Sequence, residues 1–93
     1  MSFIARIASA SEIDDVFELV NEFIDAMRHS NEMAQIPAAL RPGRIDNAGD
    51  LMYWLSLIIE DMHRQYAAEE DISNAMFGLH AVLERAVQKL DGI

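Results

Sequence analysis

Two matched apolar seams in the second half of the chain constrain its fold most. Leu51, Leu55, Ile58/Ile59, Met62 and Tyr66 make one, and Ile72, Met76, Leu79, Leu83, Ala86 and Leu90 make the other. Steps of three and four place each set along one side of an α-helix, so the two segments read as helices that pack on each other. A tight turn is expected near Ala67 and Ala68, because continuing the first register past Tyr66 would bring Glu69 and Ser73 inward. The rival reading is one uninterrupted helix over 47–90, since Ala67-Ala68-Glu69-Glu70-Asp71 contains no Gly or Pro.

The same periodicity predicts a helix over 11–29. Ile13, Val16, Phe17, Val20, Phe23, Ile24 and Met27 take one side, and Asp14, Asp15, Glu18, Glu22 and Asp25 the other. Ser11 with Asp14, or Ser9 with Glu12, offers a cap at its start. Residues 1–10 alternate weakly, and a lone strand would lack a pairing partner, which favours a helical turn or an arm. Residues 30–45 hold both prolines and Gly43, and form the connector. Met33, Ile36 and Leu40 would lay it across the helices, and Pro37 suits the opening of a single turn.

Asp46 is the expected N-cap of a helix over 46–66, with Asp50 in its first turn. The acids Glu69, Glu70 and Asp71 suit the start of a last helix over 69–90, which Asp91-Gly92 closes. Gly78 lies inside that helix at a propensity cost of about 1 kcal/mol, which close approach of another helix would explain. The expected architecture is therefore all-α, an antiparallel three-helix bundle forming a single domain. Met52, Trp54, Leu57, Phe77 and Val87 flank the seams, and a unit of 93 residues has difficulty covering them all. They are the interface candidates, and a homodimer would bury the surplus.

Composition removes several kinds of chemistry. Cysteine is absent, which excludes disulfides, thiolate metal sites and cysteine nucleophiles, and suits a reducing cytoplasm, the expected location. No stretch reads as a signal peptide or a membrane span. Sixteen acidic residues stand against seven Lys and Arg, a formal net charge of −9. Such a surface repels phosphate backbones, so direct nucleic-acid binding is not expected. The acidity is spread over the helices, and the only locally basic piece is the loop with Arg41 and Arg44.

The sharpest chemical pattern is Glu60-x-x-His63, the spacing by which two residues on one helix reach a common metal in carboxylate-bridged bundles. His80 and Glu84, four apart on the next helix, are the candidates to complete the set. Against this, Glu60 points roughly 140° from Leu55 around the helix, whereas bundle metals sit among inward-pointing ligands. His29, His63 and His80 have no recognisable nucleophile setting, and the four glycines are too dispersed for a phosphate loop. Nothing calls for a cofactor or points to an enzyme.

Ile4-Ala5-Arg6-Ile7-Ala8 followed by Glu12-Ile13-Asp14-Asp15-Val16-Phe17-Glu18-Leu19-Val20 resembles the opening strand and helix of GNAT-type acetyltransferases. The later strands and the Arg/Gln-x-x-Gly-x-Gly/Ala pyrophosphate loop of that family are missing, so no activity is carried over. Residues 41–90, with Arg41-Pro42-Gly43 and Gly78-Leu79-His80-Ala81-Val82-Leu83-Glu84-Arg85-Ala86, are similar to small bacterial helical-hairpin proteins of unknown function. That resemblance implies a hairpin and no activity. The expected function is a small acidic adaptor, regulator or inhibitor that binds a protein partner with a basic face, such as a nucleic-acid-binding protein. The alternative is a metal-binding bundle using Glu60, His63, His80 and Glu84.

Overall fold

A computed structural model describes all residues, 1–93. It is entirely helical, with four α-helices in place of the expected three: α1 (Phe3–Ser9), α2 (Ile13–His29), α3 (Ala48–Ala67) and α4 (Asn74–Gly92). Between α2 and α3 the connector makes two 3₁₀ turns, Glu32–Gln35 and Ala38–Leu40. Residues 3–9 being helical, the resemblance to an acetyltransferase opening strand does not extend to structure. This short helix is held by its neighbours: Ile7 is fully buried, Phe3 stacks edge-on against Phe23, and Lys89 donates to the Ala8 carbonyl at 2.8 Å.

The helix starts differ from expectation, each for a local reason. Neither serine pair caps α2; Glu12 occupies the cap position without a side-chain bond. Asn47, not Asp46, caps α3, accepting from the Asp50 N–H at 2.8 Å, while Asp46 pairs with Arg44. The three acids at 69–71 precede α4 instead of opening it, because the Ser73 hydroxyl takes the cap by accepting from the Met76 N–H.

The break between α3 and α4 falls where the seam register placed it, after Ala67. Glu69 adopts a left-handed conformation, φ 58°. The Glu70 N–H bonds the Gln65 carbonyl and the Glu69 N–H that of Tyr66, the paired bonds of a Schellman ending. Asn31 takes the equivalent left-handed position, φ 64°, after α2.

Helix α4 lies at the centre, touching α1, α2, α3 and the first 3₁₀ turn, whereas α3 rests on α4 and on the second 3₁₀ turn. The core runs between them through Val20, Ile24, Leu51, Ile58, Leu79 and Leu83. Met33, Ile36 and Leu40 are buried, so the connector does lie across the helices. It is also tied by polar groups. Asn21, buried on α2, donates to the Ile45 carbonyl and accepts from the Ile45 N–H, both at 2.8 Å. Arg28 donates to the Pro42 carbonyl at 2.7 Å, and Arg41 to that of Ile36 at 2.7 Å. No buried side-chain polar atom is left without a partner.

Close approach is not what requires Gly78. A Cβ there would meet nothing nearer than Phe23 Cζ at 3.8 Å, ordinary contact.

Candidate functional site

The predicted metal set is not assembled. Glu60 and His63 are exposed on α3. Glu60 lines a shallow recess with Leu40, Leu57, Asp61 and Arg64, whereas His80 and Glu84 line another with Ile4 and Arg85. His80 Nε2 and Glu84 Oε2 lie 3.0 Å apart, an i, i+4 pair within one helix. Nowhere in the fold do three His, Asp or Glu side chains approach closely enough to hold one ion.

The apolar candidates divide. Trp54, Leu57 and Val87 pack partly against the core, with Trp54 edge-on to Tyr53. Met52 and Phe77 stay exposed, at 58% and 50%. The α3 seam also lies differently from its expected register: Gln65 is buried and Tyr66 is 81% exposed. The buried line is Leu51–Ile58–Gln65. Gln65 tolerates burial because its amide donates to Asp61 at 2.6 Å. Burial raises the Asp61 pKa, but the hydrogen bonds from Gln65 and Arg64 and the Arg64 charge outweigh it and hold the carboxyl below the usual value.

As a result a second apolar line on α3 is left half-covered. Met52, Leu55, Ile59, Met62 and Tyr66 recur at steps of three and four, roughly 80° around the helix from the buried line. Leu55 and Met62 touch the core, Ile59 does not reach it, and Met52 and Tyr66 point outward. The second 3₁₀ turn covers the other flank of α3, where Leu40 and Leu57 line one recess with Glu60, Asp61 and Arg64.

Charge is distributed just as unevenly. Arg6 holds Glu22 through two bonds of 3.1 and 3.2 Å, Arg28 holds Asp25, Arg44 holds Asp46, and Arg64 holds Asp61 and Glu70. Arg41 and Lys89 are spent on backbone carbonyls, and Arg85 on Gln88. All seven Lys and Arg are thus engaged within the fold. Six carboxylates take part in ion pairs, one of them only with a histidine, and the other ten of the 16 have no cation partner. The largest recess, about 410 Å³ between α1 and α2, is lined by Asp15, Glu18 and Glu22, with Arg6 the only cationic side chain there.

No helix is long and apolar enough to cross a membrane. Compared with family models, curated proteins and solved structures, the chain matches none.

The internal use of every cation escaped the sequence reading. Its one local signal is the i, i+3 spacing of Asp25 with Arg28 and of Asp61 with Arg64, which foretells two of the pairs.

Proposed function

We propose that the protein is a small acidic interaction module that binds a protein partner presenting a basic face. The observation that carries this reading is the asymmetry of pairing: each Lys and Arg side chain is consumed inside the fold, and ten carboxylates are left to the surface. A surface of one sign speeds encounter with the opposite sign and rejects partners of its own. Nucleic-acid-binding proteins fall within the partner class, since their phosphate-binding grooves are complementary to rows of carboxylates such as Asp14, Asp15 and Glu18 on α2.

The test is capture from the source cell's lysate on immobilised protein, compared with a variant carrying Glu12→Gln, Asp14→Asn, Asp15→Asn and Glu18→Gln. Specific basic proteins are expected on the wild type, released between about 0.15 and 1 M salt as the screening length shortens. The variant should retain less of them. Capture indifferent to salt and to these substitutions would refute the proposal. So would stoichiometric iron or manganese in chelator-free protein that disappears on replacing Glu60 and His63.

A further inference from the structure

We infer that α1 is an autoinhibitory strap, an internal ligand seated where a short basic helix of the partner docks. The inference rests on the basic-partner reading and adds the place of the contact and what guards it. Helix α1 lies against both α2 and α4. Phe3 meets Phe23 edge-on at 5.3 Å, and Ile7, one turn later, is fully buried. Beside them Arg6, the only charged residue of α1, stands over the Phe3 ring and grips Glu22 with two hydrogen bonds.

The seat thereby displays the chemistry it accepts. It takes an aromatic residue, an arginine three positions on and an aliphatic residue next to that arginine, all on one helical turn. The recess along its edge adds Asp15 and Glu18, which have no cation partner, so a partner helix finds carboxylates already in place.

What holds the strap down is slight. Seven residues are too few to persist as a helix without packing, and only Ile7 of the seven is buried. The Arg6–Glu22 pair is 39% and 49% exposed, so water and salt weaken it. The remaining polar tie is the bond from Lys89 to the Ala8 carbonyl. Lifting α1 leaves the core that joins the other helices, Val20, Ile24, Leu51, Ile58, Leu79 and Leu83, without a missing member.

The probe is a capped peptide with the sequence of residues 2–10, and a scrambled peptide of the same composition controls for charge alone. Wild type, Arg6→Gln and Glu22→Gln, each the full chain and verified as folded by circular dichroism, are titrated with both by amide-resolved NMR. Opening of α1 is read by hydrogen exchange.

In Arg6→Gln the α1 amides are expected to lose at least about threefold in protection while those of α4 keep theirs. Peptide affinity should rise by the same factor, because apparent affinity scales with the open fraction. Glu22→Gln should loosen α1 as well yet gain less affinity, since the peptide's arginine then has no carboxylate to hold. Three results would overturn the strap: α1 amides that exchange only together with those of α4, peptide affinity no higher in Arg6→Gln than in the wild type, or a scrambled peptide that binds as tightly. Each would leave the basic-partner reading standing, which fails instead on lysate capture indifferent to salt.

Discussion

At Asn21, one amide organises a long connector. Its side chain satisfies both backbone groups of Ile45, far along the sequence and fully buried. Removing it orphans a donor and an acceptor in the core, so Asn21→Leu should lower unfolding stability by about 2–3 kcal/mol in urea titrations. Asn21→Asp should also destabilise, because it keeps the acceptor but turns a second oxygen toward the Ile45 carbonyl. This residue was illegible in the sequence: a polar side chain among core positions reads as helix surface, and nothing local reveals a backbone partner so distant. Gly78 errs in the other direction. Its spacing from Phe23 admits a methyl group, so Gly78→Ala should gain stability of up to about 1 kcal/mol from helix propensity, seen as a higher melting temperature.

Among the elements, α2, α3 and α4 were readable because each carries a long apolar period, and the break after Ala67 because the register of one seam fails there. Their ends were not. Glu69 occupies the left-handed site where glycine is the usual residue, so the turn carries no compositional mark. Glu69→Gly should therefore stabilise the protein by about 1 kcal/mol, measured by thermal unfolding. The start of α4 was displaced because acids suit both a first turn and the segment before a capping serine. For residues 1–10 the pattern favoured a helical turn or an arm without separating the two, since seven residues form a helix here only through what they pack on.

The Asp61 cluster belongs to this scale too, joining the last turns of α3. Because its folded pKa is depressed, its contribution is present in full above the ordinary carboxylate value of about 3.9 and is lost as pH falls through the lower folded value. Asp61→Asn should be less stable than the wild type near neutrality. The difference should shrink on acidification below that value, as followed by denaturant midpoints at successive pH.

For the whole molecule, composition already excluded thiol chemistry and set a formal net charge of −9. It could not show that all the cations are used internally, because that depends on which side chains the fold brings within reach of Arg6, Arg41 and Lys89. The central helix and the one-sided connector leave α3 with a covered flank and an open one, a consequence of topology that no helical wheel contains. The most direct test of the basic-partner reading is an amide-resolved NMR titration of the labelled protein with a lysine-rich peptide at low and at high salt. Salt-sensitive shift changes concentrated at the carboxylate row of α2, Asp14, Asp15 and Glu18, are the predicted result. No shift changes there, or changes that persist unaltered at about 1 M salt, would contradict it.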